Sequence, residues 1–265
     1  VFRRRQRQMC IRDRGNAIDF GDLTVARQAC GLASKIRGVF GGNAHPAGNT
    51  MDFITISTTA NATDFGDLTS SLNGRASVSS DTRGIFAGGG TPTPSNVIDF
   101  ITIASTGDAS DFGDLTLARR NHSGMCSPTR GVFEGGDSGS TTNVIDFITI
   151  ASAGNATDFG DTTAARETSG GGSSSIRGIF MGGYSGGDTN AIEFITIASA
   201  GNSTDFGDLT AARRNGGSLS NSLRCLYAGG HTSLNTIDFV IIATTGNASE
   251  FGDLLAVSYT HLRAH

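Results

Sequence analysis

The sequence lacks the features of several protein classes. No apolar run is long enough to cross a bilayer as a helix, so no membrane span is predicted. Only four cysteines occur, and the spacing of Cys30, Cys126 and Cys225 suits neither a disulfide framework nor a zinc site. Lysine occurs once, at Lys35, and tryptophan is absent. No segment shows a sustained helical period, which favours an all-β chain.

Both ends of the chain read as translated adapter sequence. Residues 4–13 (RRQRQMCIRD) and 257–265 (VSYTHLRAH) are what the two strands of a transposase-type sequencing adapter encode. We therefore interpret 1–14 and 257–265 as non-native and 15–256 as a repeat domain. The alternative for the first segment is a basic arm that binds nucleic acid.

The charge of the repeat domain argues against nucleic acid as a partner. Without the two end segments, thirteen basic and twenty-three acidic residues remain, a net charge of −10. Such a chain repels a phosphate backbone, and it lacks the basic patch that nucleic-acid binding requires.

One motif recurs along the chain and sets the period. Asp-Phe-Gly-Asp, or Glu-Phe-Gly-Asp in the last copy, repeats at intervals of 45, 47, 47, 47 and 45 residues. Its phenylalanines are Phe20, Phe65, Phe112, Phe159, Phe206 and Phe251. A block of the type Arg-Gly-Val-Phe-x-Gly-Gly and a block of the type Ile-Asp-Phe-Ile-Thr-Ile lie between successive copies. A period near 47 predicts a repeat architecture.

Each repeat predicts four short strands. The blocks are rich in Ile, Val, Phe and Thr and are bounded by Gly, Asn and Ser, as strands are. In the third repeat the predicted strands are 121–127, 130–135, 144–151 and 157–161. The Gly-Asn turn before the last strand is a hairpin signal.

The third strand predicts that every sheet is covered on both sides. Val97, Ile101 and Ile103 point to one face, whereas Ile98 and Phe100 point to the other. Ordering about 47 residues costs on the order of 70 kcal/mol, which one isolated four-stranded sheet cannot offset by burial. Stacked blades of a β-propeller provide the missing burial. A β-solenoid is the alternative.

The repeat resembles the unit of kelch propellers. Arg119 precedes a small inner strand, Gly135-Gly136 end the second strand, and Phe147 and Phe159 lie in the third and fourth. The chain departs from kelch repeats in using Phe where they place Tyr and Trp. The residues expected to build the repeat are Phe53, Phe65, Phe100, Phe112, Phe147, Phe159, Phe194, Phe206, Phe239 and Phe251 with Arg37, Arg83, Arg130, Arg177 and Arg224.

A second resemblance is to repetitive virion or tail-fibre proteins of marine cyanobacterial phages. It rests on the near-identical copies and on sequence segments such as TGNASEFGDL at 245–254. This resemblance implies a structural protein of the virion that contacts a surface glycan or a protein.

Counting strands predicts five complete blades and one surplus strand. The surplus fourth strand is 16–23, and the expected blades are 24–70, 71–117, 118–164, 165–211 and 212–256. We therefore expect a parent with at least six blades. Whether this chain closes into a ring stays open at this point, but an open arc exposes an apolar sheet face and is expected to self-associate.

Several motifs have a structural explanation that competes with a functional one. Asp-Phe-Gly matches the magnesium loop of kinases, but no catalytic His-Arg-Asp motif accompanies it in 15–256. The pair Asp111 and Asp114 offers fewer oxygens than calcium loops usually present. The alternative is that such a carboxylate accepts backbone N–H bonds at a strand turn or pairs with a repeated arginine such as Arg130 or Arg177. Asn155-Ala156-Thr157 is a glycosylation sequon that the repeated hairpin turn also explains.

The sequence predicts neither an enzyme nor a cofactor. Catalysis requires unlike groups converging on one substrate, and repetition explains nearly every residue. His45, His122 and His231 have no nucleophile elbow or ligand cluster beside them. We therefore expect no catalytic residue and no metal site.

Binding is the function that the variation among copies favours. The loops between the second and third strands differ most, and varied loops on a rigid scaffold are typical of recognition surfaces. The expected contact residues are His45, Asp137, Tyr184, Asp188 and His231. The predicted function is a non-enzymatic structural or binding propeller; the alternatives are an intracellular protein-interaction propeller and an enzyme on the same scaffold.

Overall fold

The computed structural model describes residues 19–42, 48–231 and 234–254. These residues form twenty short strands, which confirms the all-β prediction. The two segments interpreted as non-native, and His45, lie outside the described residues. Within the described ranges, no helix offers the length and apolarity that crossing a bilayer requires.

The strands form five four-stranded blades in chain order. Blade 1 contains β1 Cys30–Ala33, β2 Arg37–Gly41, β3 Thr50–Thr55 and β4 Thr63–Asp67. Blade 2 contains β5 Ala76–Ser79, β6 Arg83–Ala87, β7 Val97–Thr102 and β8 Ser110–Asp114. Blade 3 contains β9 Ser123–Cys126, β10 Arg130–Glu134, β11 Thr142–Thr149 and β12 Thr157–Arg166. Blade 4 contains β13 Gly170–Ser173, β14 Arg177–Met181, β15 Ala191–Thr196 and β16 Thr204–Asp208. Blade 5 contains β17 Gly217–Ser220, β18 Arg224–Ala228, β19 Thr236–Ile241 and β20 Ser249–Asp253.

Every blade is an antiparallel meander, and the first strands pack side by side. Each strand pairs with the next one in sequence, and β1, β5, β9, β13 and β17 contact one another in that order. This arrangement is a β-propeller, as the repeat predicted. In blade 3 the fourth strand is longer than predicted because Arg166 pairs with Thr142 across a bulge.

The core lies between the blades. One apolar cluster joins Val39, Met51 and Phe65 of blade 1 to Phe86 and Ile101 of blade 2, and the other clusters likewise join neighbouring blades. Since Ile98 and Ile101 on opposite faces of β7 are both buried, the sheet is covered on both sides, as the third-strand pattern predicted.

The repeated Phe-Gly pair joins one blade to the next. A bulge in the β3–β4 ladder skips Phe65, which turns into the interface with blade 2. Gly66 follows with a φ of 135°, and a Cβ there would lie 2.5 Å from the Gly107 carbonyl oxygen of blade 2. Gly107 N donates to Phe65 O at 2.7 Å. The Asp-Phe-Gly-Asp motif therefore serves blade stacking.

Candidate functional site

The third strand of every blade carries a carboxylate that pairs with a buried arginine located before the first strand of that blade. Arg119 Nη2 lies 3.0 Å from Asp146 Oδ2, and Thr116 Oγ1 also donates to this carboxylate. Arg119 further donates to the carbonyl oxygens of Phe133 and Val144. The pairs are Arg27–Asp52, Arg75–Asp99, Arg119–Asp146, Arg166–Glu193 and Arg213–Asp238. Because these charges are buried and compensated, their role is structural.

The other repeated arginine does not form the ion pair that the sequence suggested. The guanidinium of Arg130 lies 4.2 Å from the centre of the Phe147 ring and donates to the carbonyl oxygen of Ile197 in the next blade. Asp111 and Asp114 form no ion pair among the described residues. The proposed pairing was therefore wrong in its partners: an arginine–carboxylate pair recurs, but between other residues.

Blade 2 reaches the same ion pair from another position. Arg119 lies four residues before β9, whereas Arg75 lies directly before β5. Both nevertheless bind the third-strand carboxylate and the two equivalent carbonyls, which for Arg75 are those of Phe86 and Val97. The chain thus retains the contact while moving the residue that makes it.

Blade 3 departs from the repeat with two buried titratable groups. His122 occupies the position of Arg75, and neither ring nitrogen has a hydrogen-bond partner. Glu134 is fully buried where the other blades have Gly, Ala or Met, and Ser169 Oγ donates to it at 2.7 Å. Burial, followed by the charges of Arg119 and Arg75, holds the pKa of His122 well below 6.5. Neither group lines a described cavity.

His122→Leu is expected to stabilise the protein, increasingly so as the pH falls. In the unfolded chain His122 takes up a proton near pH 6.5, whereas in the folded protein its pKa is much lower. The unsubstituted protein therefore loses stability as the pH falls from about 6.5 towards the folded-state pKa. The gain of the variant should grow by up to about 2 kcal/mol between pH 7 and pH 5. Urea unfolding at several pH values measures it.

Glu134→Gln provides the matched control with the opposite slope. Burial raises the pKa of Glu134 above 4.5, so the unsubstituted protein loses stability as the pH rises through the folded-state pKa. The gain from this variant should therefore grow with rising pH. If the gains of both variants changed with pH in the same direction, the assignment with the opposite expected slope would be wrong.

The loops between second and third strands of blades 2 to 5 begin in the same way and differ in side chains. In blades 2 to 5 each loop begins with two glycines in the left-handed region, for example Gly135 and Gly136 with φ of 64° and 109°. A Cβ on Gly136 would lie 2.7 Å from the Arg120 carbonyl oxygen, so the position requires glycine. The next residue is Gly90, Asp137, Tyr184 or His231 in blades 2 to 5.

Three of the predicted contact residues come together between blades 4 and 5. Tyr184 and Asp188 lie in one loop, and His231 Nδ1 from the next is 3.7 Å from Asp188 Oδ2. Arg214 lies over the Tyr184 ring at 4.4 Å and approaches Asp188 Oδ1 at 3.5 Å. All four side chains are partly exposed. A cavity of about 300 Å³ beside them is lined by Ser185, Asp188 and Arg166, among others. We call these four residues the loop cluster.

Asp137 lies apart from the loop cluster. It pairs with Arg120, whose Nη2 is 2.9 Å from Asp137 Oδ2. His45 is the fifth predicted contact residue and lies outside the described residues. Sequence reasoning missed Arg120 and Arg214, although each is the second residue of an Arg-Arg doublet at 119–120 and 213–214. In both doublets the first arginine is buried and the second reaches the loop face.

A larger cavity lies at the opposite end of the blades, where the turns between first and second strands meet. Its volume is about 770 Å³, and most of its lining residues carry hydroxyls. Those hydroxyls already have structural partners: Ser127 Oγ accepts from the amides of Thr129 and Arg130, and Ser173 Oγ donates to Cys126 O. The polar lining is therefore explained by turns and blade contacts.

The sequon asparagines have a structural role as well. Asn155 Oδ1 accepts from the amide of Asp114 in the preceding blade at 3.1 Å, and Asn61, Asn202 and Asn247 repeat this bond. Within the part of the chain that the structure describes, no group of three His, Cys, Asp or Glu residues is placed to hold a metal ion.

Comparison with known proteins assigns no family. No protein-family model matches the chain, and no curated protein matches it significantly. Function must therefore be argued from the loop cluster and the blades.

Proposed function

We propose that this chain is a non-catalytic binding propeller that contacts a glycan or a protein through its second-to-third-strand loops. The observation that carries the proposal is the fixed Gly-Gly backbone that presents Asp137, Tyr184 and His231 at one repeat position. A rigid frame with exchangeable side chains is typical of recognition surfaces, because the backbone loses little entropy on binding.

The loop cluster is the proposed centre of this surface. Tyrosine and arginine are the side chains that most often dominate interface energetics, and here the Arg214 guanidinium holds the Tyr184 ring from one face. Asp188 orients Arg214 in turn, so the cluster is pre-organised before a ligand arrives. Such pre-organisation supports affinity.

The finer proposal is a structural component of a phage virion or tail, related to kelch propellers. It rests on the near-identical copies, the phrasing of residues 245–254 and the placement of glycines and aromatics in each repeat. The absence of a catalytic constellation in the sequence favours binding over catalysis.

Tyr184→Ala is expected to weaken binding at least about tenfold on a glycan array or in a protein-interaction screen. Asp188→Ala should have a similar effect, since it frees Arg214 from its partner. Ile176→Ala is the control: Ile176 is exposed in a turn at the opposite end of the blade. Equal losses for Tyr184→Ala and Ile176→Ala would refute the loop face as the binding surface, and substrate turnover by the purified chain would refute the non-catalytic function.

A further inference from the structure

The sheet face of blade 5 that points away from blade 4 exposes side chains whose counterparts in the other blades are buried. Phe251 is 56% exposed, whereas Phe65, Phe112, Phe159 and Phe206 at the same repeat position are at most 3% exposed. Leu219 is 61% exposed, but its counterparts Leu32, Val78 and Met125 are at most 7% exposed. These side chains are buried wherever another blade follows.

Blade 1 has the complementary uncovered face. Ile56 is 45% exposed, whereas Ile103, Ile150, Ile197 and Ile242 are each 1% exposed because the preceding blade covers them. The carbonyls of these four isoleucines accept hydrogen bonds from Arg37, Arg83, Arg130 and Arg177 of the preceding blade. At the equivalent repeat positions, Arg224 of blade 5 is the donor that would bond to a following blade. The carbonyl oxygen of Ile56 in blade 1 is the acceptor that would bond to a preceding blade. Arg224 already lies over the Phe239 ring at 4.7 Å, as the other four arginines lie over theirs.

Side-chain size follows one rule at the blade interfaces. A large side chain on the first strand faces a glycine on the second strand of the next blade: a Cβ on Gly84 would lie 2.7 Å from Leu32, and one on Gly131 would lie 2.8 Å from Val78. Between blades 4 and 5 the sizes are exchanged, because Gly172 faces Cys225.

The two uncovered faces obey the same rule. Leu219 on blade 5 requires a glycine opposite, and the equivalent position of blade 1 is Gly38. A Cβ on Gly38 would contact only Ile54 of its own blade, so the space that Leu219 needs is open. The hydroxyl bonds of the inner strands would be missing, since Gly31 stands where Ser77 and Ser218 donate to the preceding blade. The contact therefore depends on Leu219, Phe251 and Arg224.

We infer that blade 5 of one copy docks on blade 1 of a second copy, head to tail, through the contacts that join successive blades within the chain. Both faces are exposed in the same chain, so they do not satisfy each other within it. The interface is heterologous and generates a ring or an open filament of copies.

Residues 19–23, the described part of the predicted surplus strand, lie against this face of blade 1 but form no strand there. Asp22 N donates to Asn61 Oδ1 at 3.0 Å, as Asp67 N donates to Asp108 Oδ1 in the next interface. The sequence of residues 19–23, DFGDL, matches EFGDL at 250–254. β20 of the docking copy and residues 19–23 would thus occupy the same position on blade 1, so docking requires one of the two segments to be displaced.

The test is the mass of the full chain over a hundredfold range of concentration, measured by sedimentation and light scattering. The unsubstituted chain should associate, and Leu219→Asp should weaken this association at least tenfold. Leu223→Asp is the matched control, because Leu223 is 68% exposed and its counterparts Ile36 and Ile176 remain exposed at 70% and 68%. The inference would be overturned if the unsubstituted chain stayed monomeric at every concentration, or if the two variants had equal effects on association.

A size exchange tests the register. Gly38→Cys should weaken association, because the new side chain meets Leu219 of the other copy. Combining it with Leu219→Gly recreates the Gly172–Cys225 pair and should restore association, with reductant present and folding checked by circular dichroism. Failure of the folded double variant to associate would refute the proposed register and with it the docking mode.

Discussion

Asp146→Ala is expected to destabilise the protein by about 3–5 kcal/mol, among the largest effects of any single substitution in the chain. The variant leaves the Arg119 guanidinium buried without its counter-charge. Burial already lowers the pKa of Arg119, and Asp146 is the main group that opposes this shift. Urea unfolding followed by circular dichroism measures the loss.

Asp137→Ala is the matched control in the same blade. Its partner Arg120 is the residue after Arg119, but this pair is on the surface, with side chains 34% and 18% exposed. Exposed pairs contribute about 0–1 kcal/mol, so this variant should lose less than about 1 kcal/mol. Comparable losses for the two variants would show that burial of the ion pair is not what stabilises the blade.

Replacing both members of the buried pair separates charge compensation from packing. Arg119→Met combined with Asp146→Leu removes both charges, and such replacements are often neutral or stabilising. We expect the double variant to regain most of the stability that Asp146→Ala loses. If it is as unstable as Asp146→Ala, the bonds from Arg119 to the Phe133 and Val144 carbonyls carry the stabilisation instead.

The blade architecture could be predicted because strand signals are local and repeated. Two apolar faces on β7 required cover on both sides, and the Gly-Gly and Phe-Gly pairs marked positions where only glycine fits. The cover comes from neighbouring repeats, so the sequence pattern of one repeat implied the stacking of all of them.

The ion pairs could not be predicted, because adjacent residues have opposite environments. Arg119 and Arg120 are chemically identical, yet one enters the blade and the other reaches the loop face. Which of them meets Asp146 depends on the curve of the connector, to which Asn121 contributes a φ of 56°. The loop cluster was found only in part for the same reason, since Arg214 is the second residue of such a doublet.

Phe159→Ala is expected to destabilise the protein by about 3–5 kcal/mol, because it removes a buried ring between blades 3 and 4. The ring packs edge to face on Phe147 with centroids 5.9 Å apart, and it also contacts apolar side chains of the next blade. Thermal and urea unfolding of the variant measure the loss. Leu219→Asp serves as the common background so that association between copies does not contribute.

Phe251→Ala makes the same change at the same repeat position and should destabilise by less than about 1 kcal/mol. Phe251 retains an edge-to-face contact with Phe239 at 6.0 Å, but the side chain is 56% exposed. The difference between the two variants therefore measures what a neighbouring blade contributes at this position. If Phe251→Ala is as damaging as Phe159→Ala in the monomeric background, blade 5 is covered within its own chain, and the last blade closes on the first.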